Sequence, residues 1–166
     1  LRTKKFKSPI ILIASQNLIK LQMKKLNISV RMKKLNLDKI DKYKLNNKVI
    51  NLINVEYNTT KAFEKISSKS NEYIRESFEI ALKLINNKIS DKLINGPVSK
   101  KCFLNNKFLG ITEYLAKKSN VKDIAMLIYN DNLSVSPVTT HLPLKKVAKK
   151  IKKKLIKKKI ILINSF

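Results

Sequence analysis

The sequence contains very little glycine: only Gly96 and Gly110 occur among its 166 residues. Loops that cradle phosphates or dinucleotides need several closely spaced glycines, because their backbone N–H groups must approach the ligand. These two glycines are too far apart for a phosphate loop or for a dinucleotide motif of the G-x-G-x-x-G kind. A bound nucleotide would therefore need another kind of site.

Cysteine and long apolar runs are also scarce. Cys102 is the only cysteine, which excludes an internal disulfide and a cysteine-based zinc site. The longest apolar runs, IILIA and IILI, are much shorter than the roughly 20 residues that cross a bilayer as a helix. The basic start continues into polar residues at Gln16 without a small-residue cleavage site, which argues against a signal peptide. We therefore expect a cytoplasmic protein with no membrane span.

Acidic residues are few, 11 against 37 lysines and arginines, and the net charge is +26. Charge alone would favour nucleic-acid binding. However, only Arg2, Arg31 and Arg75 are arginines, whereas proteins that bind phosphates and bases favour arginine and interleaved aromatic residues. The dense cluster from Lys145 to Lys159 is either a basic patch or, as we prefer, the solvated face of a helix. Nucleic-acid binding is the least favoured function.

Hydrophobic periodicity in the first half predicts alternating strands and helices. Continuous apolar runs predict buried strands at Pro9–Ala14 and Val49–Val55. Between them, Ser15 is placed to cap a helix with the sequence QNLIKLQMKKLN. The clearest amphipathic helix is SNEYIRESFEIALKLINN, whose apolar positions are Ile74, Phe78, Ala81, Leu82 and Ile85. This order of elements predicts an α/β layered fold, and the length fits a single domain.

The second half gives weaker patterns. DKLI leads into NGPVSKK as a short strand broken by glycine and proline, and Thr112 is placed to cap a helix at TEYLAKKS. IAMLIY and LSVSPVTT read as two antiparallel strands joined by NDN. A helix is predicted to start at Pro143 and to carry an apolar face formed by Leu144, Val147, Ala148, Ile151 and Leu155. The last residues, KKIILINSF, either continue that helix or form a strand.

Three segments carry polar residues where α/β proteins place their ligands. In NGPVSKK, the turn exposes backbone N–H groups beside Lys100, which suits an anion but also an ordinary turn. In FLGITEYLA, Thr112 either faces a ligand or only caps the helix. In TTHLPL, His141 is the only histidine of the chain. Imidazole is a common metal ligand and proton-transfer group, although a single histidine does not complete a metal site.

Taken in order, NGPVSKK, FLGITEYLA, AMLIYNDNLSV and TTHLPLKKV resemble the central segment of the 4-hydroxythreonine-4-phosphate dehydrogenase family of vitamin B6 synthesis. Members typically read T-G-P-x-x-K, G-H-T-E-x-x-A, M-M-L with L-x-V, and T-T-H-x-P-L. The segment PIILIASQNLIKLQMKKLN is similar to an early strand and helix of that family, so the resemblance covers most of the chain from Ser8 onward.

The resemblance implies a three-layer α/β/α fold like that of isocitrate and isopropylmalate dehydrogenases. It implies a homodimer that uses NAD(P) and a divalent metal (zinc, magnesium or cobalt). The reaction would oxidise 4-phosphohydroxy-L-threonine, a small phosphorylated amino acid, and decarboxylation would follow. By position, His141 corresponds to the first of three metal-ligating histidines, and Thr112 to a threonine that contacts the substrate. Lys100 matches the lysine of the G-P-x-x-K loop, and its role is open.

The chain also departs from the family pattern. Ile111 replaces the histidine of G-H-T-E, and neither the amino-terminal motif G-E-P-x-G-I-G-P-E nor the carboxy-terminal motif N-P-H-A-G-E with two further histidines is present. We therefore expect residues 1–166 to form a single partial α/β region of a longer two-domain enzyme, unable alone to hold metal tightly or to turn over. The alternative is a shortened, noncatalytic relative that binds a ligand or another subunit.

Overall fold

The computed structural model describes residues 6–165. Residues 1–5 and Phe166 lie outside the described residues. Residues 1–5 include part of the region in which a signal peptide was considered. Two compact units are present, the first extending to Phe103 and the second beginning at Leu104. In the part of the chain that is described, no helix is both long and apolar enough to cross a membrane.

A three-stranded parallel sheet forms the centre of the first unit. Its strands are β1 (Ile11–Ala14), β2 (Met32–Lys34) and β3 (Ile50–Asn54), and β3 lies in the middle. The pairing of β1 with β3 runs from Ile11 opposite Asn51 to Ala14 opposite Asn54. The two predicted strands are therefore confirmed. β2 was not predicted, because its sequence, MKK, is a three-residue edge strand without an apolar run.

Two helices pack in this unit, α1 (Gln16–Lys25) and α2 (Asn71–Asn86), and both were predicted. The hydroxyl of the fully buried Ser15 accepts a hydrogen bond from the Leu18 N–H at 3.3 Å, which confirms the predicted N-cap. The core contains residues from α2, from the strands and from the segment after β2: Leu35, Ile40, Ile53 and Leu84. Leu52, whose side chain points to the opposite face of β3 from Ile53, is also fully buried. Both faces of the sheet are thus covered, as a layered α/β fold requires.

Asparagines fix the start of β1 against the connection that precedes β3. The fully buried Asn51 donates through Nδ2 to the carbonyls of Ile10 and Asn46, at 2.9 and 2.8 Å. Asn47 accepts from the Ile10 N–H through Oδ1 at 3.0 Å. These side chains provide the hydrogen bonds that the backbone needs where the sheet begins.

The predicted strand around DKLI and NGPVSKK is wrong. Residues 92–99 have no regular secondary structure, and Lys100–Leu104 form a single π-helical turn instead. Pro97 has no N–H to donate to a neighbouring strand, and Asn95 donates its side-chain amide to the Gly96 carbonyl. Both features favour an irregular connection over a strand.

The second unit contains three helices in the part that is described: α3 (Ile111–Lys118), α4 (Leu144–Lys150) and α5 (Lys153–Asn164). The two predicted antiparallel strands are reduced to one antiparallel bridge between Ile128 and Val135. The predicted pairing direction is correct, but extended strands are not formed. Side chains of this segment remain exposed, so little burial stabilises longer pairing.

The predicted apolar face from Leu144 to Leu155 does not exist as one helix. The backbone becomes extended at Ile151, with ψ 114°, and α5 starts afresh after it. The last residues thus belong to a separate helix, whose half-buried positions are Leu155, Lys159, Leu162 and Ile163.

Because the chain has so few glycines, other residues take the left-handed conformation that ends three of its helices. Asn27, Lys88 and Asn120 follow α1, α2 and α3 with φ of 51°, 58° and 55°, in the left-handed region that glycine usually takes. Each is followed by a residue whose N–H bonds back to the helix, as when the Ile89 N–H donates to the Leu84 carbonyl at 3.0 Å. The helices therefore end in Schellman motifs built without glycine.

Candidate functional site

The start of α3 carries the first predicted site residue. Gly110 is the N-cap, with extended backbone, and no side chain caps the helix. Thr112 is the second helical residue, so the prediction that it caps α3 is wrong: the N-cap is Gly110, two residues before the predicted one. Its side chain is exposed at the first turn of the helix. The hydroxyl therefore lies beside backbone N–H groups that point out of the helix end.

Aromatic packing holds this turn in place. Tyr114 is buried and meets Phe108 edge to face, with ring centroids 5.3 Å apart. The Lys117 ammonium lies 5.6 Å from the centroid of the Phe108 ring. These contacts pack α3 against the segment that precedes it.

Glu113 is a residue of this site that the sequence prediction missed. Its Oε1 lies 3.7 Å from Nε2 of His141, and its Oε2 is buried beside Gly110. A Cβ at position 110 would lie 3.0 Å from Oε2, so glycine leaves room for the carboxylate. The signal was present in the sequence, because the matched motif G-H-T-E ends in this glutamate.

His141 lies in the loop before α4, which begins after Pro143. Its side chain is about one third exposed, and its φ of 56° is in the left-handed region. The contact with Glu113 brings this loop to the start of α3. His141 therefore contacts Glu113, the residue that directly follows Thr112. Through this contact the two predicted site residues, Thr112 and His141, lie in the same part of the second unit. Lys100 is exposed in the π-helical turn of the first unit.

The donor types at this site suit a divalent metal, because imidazole nitrogen and carboxylate oxygen both ligate such ions. Their number is smaller than a catalytic zinc requires, since three protein ligands are usual. Within residues 6–165, no group of three or more histidine, cysteine, aspartate and glutamate side chains is arranged to hold a metal. The second unit therefore supplies the right kind of ligands in incomplete number.

A second polar cluster follows β3 in the first unit, and sequence patterns gave no sign of it. Glu64 accepts hydrogen bonds from Tyr57 at 2.7 Å, from Thr59 at 2.8 Å and from Lys69 at 3.2 Å. These bonds, led by that from Tyr57, lower the pKa of Glu64 to about 2. In turn, the bond to Glu64 and burial raise the pKa of Tyr57 to about 12. Because these groups satisfy one another, we interpret the cluster as a structural support for the loop.

Comparison with known proteins gives consistent matches. A model of the family described as "Pyridoxal phosphate biosynthetic protein PdxA" matches residues 5–166. The 4-hydroxythreonine-4-phosphate dehydrogenase of Sulfurihydrogenibium sp. is 37% identical over 117 residues, covering 69% of this chain and 36% of that protein. The enzyme of the same name from Vibrio parahaemolyticus is 26% identical over 158 residues, or 93% of this chain and 47% of that one.

Solved structures show the fold. The crystal structure of 4-hydroxythreonine-4-phosphate dehydrogenase from Klebsiella pneumoniae superposes with a TM-score of 0.78 at 16% identity, over 95% of this chain and 49% of that chain. That of the Burkholderia phymatum protein gives 0.76 at 18% identity, over 91% and 46%. This likeness confirms the predicted α/β fold class in an incomplete form. The chain spans about half the length of these proteins.

Proposed function

Because the chain belongs to the pyridoxal phosphate biosynthetic protein PdxA family, we propose that it provides part of the active site of a 4-hydroxythreonine-4-phosphate dehydrogenase. The substrate would be 4-phosphohydroxy-L-threonine, oxidised at its secondary alcohol with NAD(P) as hydride acceptor and then decarboxylated. The protein would act as a homodimer. The observation that carries the proposal is the contact between Glu113 and His141, which connects the two family motifs in space.

Each residue would have a distinct task. Thr112, exposed on the first turn of α3, would donate its hydroxyl to an oxygen of the substrate, close to the positive end of the helix dipole. His141 would offer an imidazole nitrogen as one ligand of a divalent ion. When bound, that ion would polarise the substrate alcohol. Lys100 is exposed and would offer a positive charge to an anion.

Ile111 weakens the proposed substrate site. It occupies the first position of α3, directly before Thr112, and is half-buried. An isoleucine can neither donate a hydrogen bond nor change protonation, so the substrate contact that a histidine would make here is missing. We therefore expect weak substrate binding, which Ile111→His would strengthen.

The test is binding of 4-phosphohydroxy-L-threonine to the folded chain, followed through its backbone amide NMR signals. The proposal predicts saturable shifts at Thr112 and His141, smaller in a Thr112→Val variant and larger in Ile111→His. Thr60→Val, on an exposed threonine of the first unit, is the matched control. Shifts that do not saturate, or that are equal in Thr112→Val and in the unchanged chain, would contradict the proposal.

A second candidate function is a noncatalytic domain that binds a ligand or another subunit. Large apolar side chains exposed on the second unit favour it, and they include Leu109, Ile128, Tyr129, Leu133, Leu144, Ile160 and Ile161. Where exposed apolar side chains join into one large patch, that patch commonly marks an interface. Sedimentation velocity over a range of concentrations tests it: self-association that is lost in Ile160→Lys/Ile161→Lys supports the candidate, and a monomer at all concentrations opposes it.

A further inference from the structure

The connection between α2 and the π-helical turn contains Asn95–Gly96, the only place in the sequence where glycine follows asparagine. Both residues are exposed, and residues 92–99 have no regular secondary structure. Neither a helix nor a sheet ladder therefore fixes the backbone at this point. Water reaches both the side-chain amide of Asn95 and the peptide group that follows it.

In the part of the chain that the structure describes, the side chain of Asn95 bonds only to its own neighbour. Its Nδ2 donates to the Gly96 carbonyl at 2.9 Å. Asn71 instead donates to the Cys102 carbonyl, 31 residues away in the sequence, and is thereby tied to another element. Water competes with an exposed hydrogen bond, so the amide of Asn95 stays beside the Gly96 peptide but remains free to rotate.

Gly96 leaves the space around its own backbone open. A Cβ built at this position would meet no atom within 4 Å. Among residues 6–165, the Gly96 N–H donates no hydrogen bond. The nitrogen is therefore available to react, and no neighbouring group blocks its approach to the side chain of Asn95.

We propose that Asn95 is a site of spontaneous deamidation through a cyclic imide. The Gly96 nitrogen loses its proton to hydroxide and attacks Cγ of Asn95. A bond forms between these two atoms, the bond from Cγ to Nδ2 breaks, and the nitrogen of the side chain leaves as ammonia. Water then opens the imide at either of its carbonyl carbons, which gives aspartate or isoaspartate at this position. The balance is one water consumed for one ammonia released.

Two properties of the chain favour this reaction at Asn95. The attack is intramolecular, since the nitrogen and the carbon belong to adjacent residues, and glycine allows the backbone angles that ring closure needs. The attacking nitrogen is anionic, and the net charge of +26 stabilises negative charge at the protein surface. Asparagines that precede a residue with a side chain lack the first advantage in full.

Deamidation would change the segment NGPVSKK, which also contains Lys100. The product carries a new carboxylate, so the positive charge of this segment falls by one. The isoaspartate form also lengthens the backbone of the connection, because the chain then runs through the side-chain carbon. The inference does not depend on the proposed dehydrogenase function, and its test uses no substrate.

The test is peptide mapping of the full chain by mass spectrometry, sampled during incubation at neutral pH. Cleavage after lysine releases residues 93–100, in which Asn95 is the only asparagine or glutamine. A deamidation mass gain in this peptide therefore identifies the site. Asn130 and Asn132, both exposed, lie together in the peptide of residues 123–145 and serve as the internal control.

Gly96→Ala is the matched variant. The added Cβ meets open space, and the φ of Gly96 is not in the left-handed region, so the fold is expected to tolerate the change. A synthetic peptide with the sequence LINGPVSK gives the rate without any protection by the fold.

The proposal predicts that aspartate and isoaspartate both form in residues 93–100 of the folded chain, at a rate similar to that of the synthetic peptide and faster than in residues 123–145. Gly96→Ala is expected to slow the reaction about tenfold or more, because a Cβ restricts ring closure. No mass gain in the folded chain while the synthetic peptide deamidates would overturn the proposal. Aspartate without isoaspartate, or an unchanged rate in Gly96→Ala, would also overturn it, because direct hydrolysis of the side chain would then be the route.

Discussion

Replacing Lys88 with glycine is expected to stabilise the protein. Lys88 follows α2 with φ 58°, and its N–H donates to the Ile85 carbonyl at 2.9 Å. A left-handed backbone costs a residue with a Cβ roughly 1–2 kcal/mol, whereas glycine adopts it without strain but loses about 0.5–1 kcal/mol more entropy on folding. The lysine side chain is exposed, so its removal costs little. The difference predicts a gain of about 0.5–1 kcal/mol in the free energy of unfolding.

Urea denaturation followed by circular dichroism measures this change. Glu76→Gly, at an exposed position inside α2, is the matched control and is expected to lose about 1 kcal/mol, because glycine is a poor former of helix interiors. Opposite signs for the two glycine substitutions would support the reasoning. A Lys88→Gly variant that is less stable than the unchanged protein would refute the claim that backbone strain dominates at this position.

Three further changes are expected to act through contacts in the first unit. Leu52→Ala removes a fully buried side chain from the central strand and is expected to cost about 3 kcal/mol in urea denaturation; a loss below about 1 kcal/mol would mean that the sheet is not covered on both faces. Ser15→Ala removes the N-cap bond of α1 and is expected to cost about 1–2 kcal/mol, against which Ser15→Thr, which keeps the capping hydroxyl, is the conservative control. Glu64 has its folded pKa lowered from 4.5 to about 2, so its contribution to stability is present above pH 4.5 and is lost as the pH falls towards 2. Glu64→Gln is expected to make stability depend less on pH over that range. It is also expected to lower the pKa of Tyr57, followed by ultraviolet titration, from about 12 towards 10. An unchanged Tyr57 pKa would contradict the bond between the two residues.

Much of the first unit could be predicted because its elements carry strong local patterns. The apolar runs that became β1 and β3 and the Ser15 cap agree with the packing they form. Of the predicted stripe of α2, Phe78 and Ala81 are buried, whereas Leu84, which is also buried, was not among the predicted positions. The edge strand β2 could not be predicted in this way, because a three-residue strand is specified by its hydrogen bonds to β3. Its own residue types carry little information.

The elements of the second unit were less predictable, because residue types alone do not show whether a segment becomes buried. The Ile128–Val135 segment had the residue types of two strands but lacks the burial that extends them. The break after α4 comes at Ile151, a position on the apolar stripe, so the stripe alone does not reveal it.

The candidate site illustrates the same limit. Thr112 and His141 were identified by motif, and their family is now established. Their connection through Glu113 depends on a tertiary contact and on the absence of a side chain at Gly110. Neither the spacing of the motifs nor their composition contains that information.

The proposal on which the other functional proposals depend is that this chain carries the metal and substrate motif of a 4-hydroxythreonine-4-phosphate dehydrogenase. The most direct test is a hybrid in which residues 6–165 replace the matching region of the Vibrio parahaemolyticus enzyme, assayed for NAD(P) reduction with 4-phosphohydroxy-L-threonine. We predict that the hybrid carrying Ile111→His is active and that adding His141→Asn, a residue that tolerates positive φ, abolishes the activity in a folded protein. Equal activity with and without His141 would contradict the claim.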